Sequence, residues 1–173
     1  ADRRIPENAR QEPSRLLEAQ LLLVKASGYR GMIGGQVIDL ESETRDVDLA
    51  TVEYMHIHKT GALISAALEM GALLGGATPE QAERLRSYGH HFGLAFQITD
   101  DILDVEGDAQ LMGKQPGSDA AKNKKTYTAL MGLKQAKQAA RQQVDAAVEA
   151  LRDFDQRATP LRELARYLLV RRA

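Results

Sequence analysis

Apolar side chains recur at steps of three and four along residues 16–24, 52–74, 85–105 and 130–151. That spacing lines one face of an α-helix. Alternation at a step of two, the mark of a half-buried strand, is sustained nowhere. Thr78-Pro79-Glu80-Gln81 offers a hydroxyl cap, proline at the first helical position and a glutamine able to reach back, which predicts a capping box. Gly75-Gly76 predicts a helix end just before it. Thr159-Pro160 predicts a last, short helix running to Arg171-Arg172, where cations suit the negative end of the helix dipole. Residues 1–13, polar and carrying Pro6 and Pro13, read as a loop, and 106–125, rich in Gly, Asp and Lys, as a second long one. The pattern predicts five or six helices with long central members: an all-α bundle in one domain, helical over 14–173.

Composition narrows this only slightly. A chain of 173 residues, 43% of them hydrophobic, can bury one sizeable core. A net charge of −1 provides no global field for nucleic acid. The absence of cysteine excludes disulfides and thiolate metal sites, and suits a reducing cytoplasm. The most apolar stretch, 60–74, is short, rich in Gly and Ala, and contains Glu69, so no membrane anchor is expected.

The chemistry concentrates in Phe96-Gln97-Ile98-Thr99-Asp100-Asp101-Ile102-Leu103-Asp104. On a helix, Gln97, Asp100 and Asp104 fall on one stripe with Asp101 at its edge, while Ile98, Ile102 and Val105 face the core. Three carboxylates late in a buried helix repel one another, and the dipole opposes them. A divalent cation is the simplest compensation. Oxygen donors without His or Cys favour a hard ion such as magnesium, which takes one or two carboxylates plus phosphate and water. A solvated acidic helix end is the plain alternative.

Cations surround the acids in sequence. Lys114, Lys122, Lys124 and Lys125 follow them on a glycine-bearing stretch where backbone and ammonium can approach a phosphate. Lys59, in His58-Lys59-Thr60-Gly61, sits inside an apolar helix and must either extend to solvent or meet an anion. Gly34-Gly35 precedes Gln36 and Asp39, which share a face. Two glycines in a helix cost about 1–2 kcal/mol and are kept where helices pack closely.

Taken in order, GGQVIDL (34–40), HKTGALI (58–64), GLAFQITDDILDVEGD (93–108), and Lys114 with GSDAAKNKKTY (117–127) resemble the trans-isoprenyl diphosphate synthases, most of all the second half of the bacterial farnesyl diphosphate synthases. The resemblance implies an isoprenoid-synthase-type helical bundle, a homodimer, Mg2+, and two substrates, an allylic diphosphate and isopentenyl diphosphate. It implies that Asp100 holds magnesium directly, with Asp101 and Asp104 acting through water or supporting the site. It further implies that Lys59, Lys114 and Lys124 grip the diphosphate, that Thr60 and Gln97 stand beside the allylic cation, and that Gln36, Asp39 and Asp119 are polar supports behind them.

The family's first aspartate-rich motif has no counterpart here, Asp46-Val47-Asp48 being too sparse. Its isopentenyl-diphosphate-binding segment and its product-length residues are also missing. The expectation is a piece of a longer prenyltransferase, inactive by itself. A regulatory prenyl synthase subunit and a synthase of geranylgeranyl or longer products remain open. A di-iron bundle built on Glu53-x-x-His56 lacks the second such step that it would need.

Overall fold

The computed structural model describes residues 13–107 and 125–172. Among these there is no strand; the helices are α1 (Pro13–Ser27), α2 (Met32–Ser42), α3 (Leu49–His56), α4 (Ala62–Leu74), α5 (Pro79–Glu106), α6 (Tyr127–Met131), α7 (Leu133–Ala150) and α8 (Thr159–Tyr167). A π-helical turn, Ile57–Gly61, joins α3 to α4 without a break, so 49–74 forms one long rod.

The all-α expectation holds, and so do its best-marked boundaries. Thr78 and Gln81 exchange both bonds of the capping box, with Pro79 at the first turn. Gly75 closes α4, and Gly76 takes φ +71°, a left-handed conformation suited to glycine. Other boundaries differ. Helix α1 already includes Pro13, and α5 runs through Glu106, one residue into the expected loop. The apolar run 130–151 is interrupted at Gly132, whose φ of +82° separates α6 from α7. The last helix ends at Tyr167, so Arg171 and Arg172 lie past it and do not cap its dipole.

Helix α5 is the axis of the bundle, packed on α7 along one flank and on α4 along another. Ala136, Ala140, Val144 and Ala147, all nearly inaccessible, form the stripe that α7 turns inward, and Leu151 continues it just past the helix end. Small residues at a helix contact allow a short interaxial distance, which brings Tyr88, Ala95 and Leu168 together in one cluster and Val52, Met55, Leu94, Ile98 and Tyr127 in another. Val105, expected to face the core, is 50% exposed.

The π-helical turn is squeezed between two glycine contacts. A Cβ at Gly35 of α2 would stand 2.6 Å from Lys59 Cα and 2.8 Å from the His58 carbonyl carbon, and one at Gly93 of α5 would stand 2.9 Å from Gly61 Cα. Both are backbone atoms that cannot swing aside, so only glycine fits. The expected close packing at Gly34-Gly35 is therefore met by Gly35, and the wide turn it abuts carries Lys59.

Candidate active site

The rod, α2, α5 and the residues leading into α6 enclose a cavity of about 190 Å³. Its wall includes Asp39 of α2, His56 and Lys59 of the rod, Gln97, Asp100 and Asp101 of α5, and Lys125 and Thr126. Residues far apart in sequence thus share one polar hollow, and five of the expected site residues are among them: Asp39, Lys59, Gln97, Asp100 and Asp101. Gln97, Asp100 and Asp101 meet because steps of three and four return to one helix face.

Asp104, placed on the same stripe by the sequence, is 3% exposed and does not line this cavity; Asp101, placed at the edge, does. Gln36 is exposed on α2, and Thr60 is half-buried on the π-helical turn; neither lines the cavity. Lys114, Asp119 and Lys124 fall outside the described residues.

Each acid in the cavity has its own setting. Asp39 accepts from Lys59 Nζ at 2.6 Å, with the two side chains 12% and 29% exposed. The anion that a buried lysine requires is therefore supplied, within the chain, by the aspartate of GGQVIDL. Asp100, half exposed at the cavity rim, accepts from Arg171 Nη2 at 3.1 Å. Asp101 is buried; its Oδ2 accepts the Tyr127 backbone N–H at 2.8 Å and lies 3.5 Å from His56 Nε2. Burial first, then the charges of Glu53 and Asp101, push the Tyr127 hydroxyl above the usual tyrosine range. Lys125 donates to Asp46 at 2.9 Å, and that bond with its charge holds the Asp46 carboxyl below the ordinary carboxylate value.

Three contributors went unread in the sequence. His56 had no partner of its own spacing, and its burial beside Asp101 is a tertiary fact. Arg171 was assigned to a helix end and instead reaches back to α5. Lys125 belonged to the lysine-rich stretch, but roles there went to its neighbours. The step His56 to Lys59, one helical turn, was the available signal for the first. A larger cavity of about 530 Å³ lies between α5, α7 and the residues after α8, and none of the expected site residues lines it.

Among the described residues no three acidic or histidine side chains converge tightly enough to hold an ion by themselves. A hard cation can be taken by one or two carboxylates and completed by phosphate and water oxygens. Asp100, half exposed at the rim of a hollow that also presents Lys59 and Lys125, has the donor type and access for such an ion.

The described residues thus form an all-helical bundle with acids and lysines facing one polar hollow. The polyprenyl synthetase family profile matches residues 9–165, and the chain belongs to that family. It is 44% identical over 154 residues to a farnesyl diphosphate synthase of Geobacillus stearothermophilus, covering 89% of this chain and 50% of that protein. It is 42% identical over 163 residues to geranylgeranyl pyrophosphate synthase 11, chloroplastic, of Arabidopsis thaliana, covering 92% of this chain and 46% of that one. A geranyltransferase of Helicobacter pylori, solved with magnesium and isoprenyl diphosphate, superposes with a TM-score of 0.77 at 32% identity over 94% of this chain and 54% of its own. The chain spans about half the length of the curated relatives it matches.

Proposed function

We propose that this chain provides the carboxy-terminal half of the active site of a trans-prenyltransferase that joins an allylic diphosphate, dimethylallyl or geranyl, to isopentenyl diphosphate and yields farnesyl diphosphate. The convergence of Lys59, Gln97, Asp100 and Asp101 on one cavity carries the reading. Family membership and identity to a farnesyl diphosphate synthase support it. A geranylgeranyl product is the second reading, favoured by the similar identity to the Arabidopsis synthase.

In this reading Asp100 holds magnesium, with Asp101 and Asp104 behind it. The ion supplies positive charge where the departing diphosphate gathers negative charge, an electrostatic effect on the transition state. Lys59, together with Lys114 and Lys124, grips the diphosphate, and Asp39 holds the Lys59 ammonium in place, with Gln36 and Asp119 as further polar positions of the diphosphate site. Thr60 and Gln97 present polar atoms to the allylic carbon. The apolar faces of the rod and α5 keep out water that would quench a carbocation.

The 173-residue chain alone is inactive in this reading, because the family's first aspartate-rich motif has no counterpart in it. The apolar side chains turned outward on α1 and α2, including Leu17, Val24, Ile33, Val37 and Leu40, support burial against further protein, with a homodimer through helices as the assembly. No described helix is long and apolar enough to cross a membrane. We place the reaction in the cytoplasm, the reducing compartment that a cysteine-free chain suits.

The test is calorimetric binding of inorganic pyrophosphate with Mg2+ to the purified chain, beside turnover in the protein with its amino-terminal half. Asp100→Ala is expected to cost about 10²-fold in turnover and to remove the magnesium dependence of binding. Unaltered magnesium dependence in Asp100→Ala would reject the assignment.

A further inference from the structure

His56 is the least explained polar residue of the site. Its side chain is 7% exposed, and neither ring nitrogen has a hydrogen-bond partner among the described residues. The ring stacks on Tyr127, with centroids 5.7 Å apart and planes at 13°, and Nε2 lies 3.5 Å from Asp101 Oδ2. That same oxygen accepts the Tyr127 backbone N–H at 2.8 Å. Helix α3, helix α5 and the start of α6 therefore meet at one carboxylate oxygen.

The first N–H groups of a helix lack an intrahelical acceptor. Thr126 takes one, the Ala129 N–H, through its hydroxyl, and Asp101 takes the Tyr127 N–H from another helix. Lys125 and Thr126, which line the cavity, immediately precede the pinned residue. Asp100, one residue before Asp101, is half exposed at the rim with no such obligation to the backbone.

We propose that Asp101 and His56 form a brace, both acting as positioning residues for the start of α6. Asp101 holds the first residue of α6, His56 walls the carboxylate on its inner side, and together they fix Lys125 and Thr126 at the cavity. The consequence for ligand binding rests on the function proposed above; the brace itself does not.

Two readouts separate the ideas. The first is exchange of the Tyr127 amide proton, followed by NMR without ligand. Asp101→Asn retains an acceptor oxygen and is expected to exchange within about threefold of the wild type, whereas Asp101→Ala and His56→Ala should speed exchange by about tenfold or more. The second is the Mg2+ concentration that half-saturates binding of inorganic pyrophosphate. Asp101→Asn should leave it within about twofold, and Asp100→Asn should raise it about tenfold or more. A Tyr127 exchange rate unmoved in Asp101→Ala or in His56→Ala overturns the brace. Slow exchange in Asp101→Asn combined with a tenfold higher magnesium requirement makes Asp101 a ligand and overturns its positioning role. If the wild type takes up no magnesium pyrophosphate, the proposed function falls, while the exchange readout still decides the brace.

Discussion

Arg171 Nη2 lies 3.1 Å from Asp100 Oδ1 and also donates to Phe96 O and Thr99 Oγ1, while the guanidinium rests 4.5 Å from the Phe96 ring centroid. A residue beyond the last helix thus neutralises an accessible acid of the cavity rim, and only 9% of its side chain is exposed. A planar guanidinium suits this double role of stacking and forked bonding better than an ammonium would.

An incoming cation must share Asp100 with that guanidinium. Arg171→Gln is therefore expected to bind Mn2+, in the absence of diphosphate, several-fold more tightly, since removing a unit charge a few ångströms away is worth about 1 kcal/mol at a wet surface. The same change should lower stability by about 1–3 kcal/mol through the lost charge-assisted bonds. Calorimetric Mn2+ titration and urea unfolding measure the two. Lower stability with unchanged Mn2+ affinity would mean that Asp100 does not hold the ion.

The bundle was legible because it is written locally: a cap at Thr78, a stop at Gly75-Gly76, and apolar residues at helical steps. The acids on α5 were legible for the same reason. What stayed hidden depends on contacts between distant segments. Helix periodicity could not decide which of Asp101 and Asp104 turns to the cavity, because both lie within a turn of Asp100 and tertiary packing chooses between them. Nor could it show that Lys59 meets Asp39, 20 residues earlier, or that Arg171 returns to α5. A π-helical turn has no propensity signature of its own; here it is visible only in the glycines that flank it.

Those glycines provide a contrast. Gly35→Ala is expected to destabilise the protein by about 1–3 kcal/mol, the usual cost of overpacking, because its Cβ would strike backbone at Lys59 and His58. It should also weaken pyrophosphate binding by shifting Lys59. Gly71→Ala, inside α4 with nothing within 4 Å of an added Cβ, should stabilise by about 0.5–1 kcal/mol through helix propensity alone. Urea denaturation of both variants checks the pair. A neutral Gly35→Ala would show that the two helices do not approach as closely as described.

Lys59 and Asp39 should behave as a coupled unit. Lys59→Met leaves Asp39, 12% exposed, without its ammonium and is expected to cost about 1–3 kcal/mol. Adding Asp39→Asn removes the stranded charge, so the double variant should be less damaged than the sum of the two single changes, by about 0.5–3 kcal/mol. Pyrophosphate binding should not recover with stability, since the ammonium is still missing. Strict additivity in the unfolding free energies would show that the 2.6 Å contact contributes nothing in solution.

Alkaline pH should act through Tyr88. Its hydroxyl donates to Leu161 O at 2.8 Å, tying α5 to α8, and burial pushes its pKa from 10.0 up to about 12. The folded protein therefore keeps this proton where the unfolded chain has lost it. The resulting stability is complete below pH 10.0 and is lost as pH rises towards 12. Tyr88→Phe is expected to cost about 1 kcal/mol at neutral pH from the missing hydrogen bond, yet to lose less further stability between pH 10 and 12. Some loss should remain, because Tyr127 is raised by burial as well. Urea midpoints across that range measure the difference in slope, and equal slopes for the variant and the wild type would mean that Tyr88 ionises as readily in the fold as out of it.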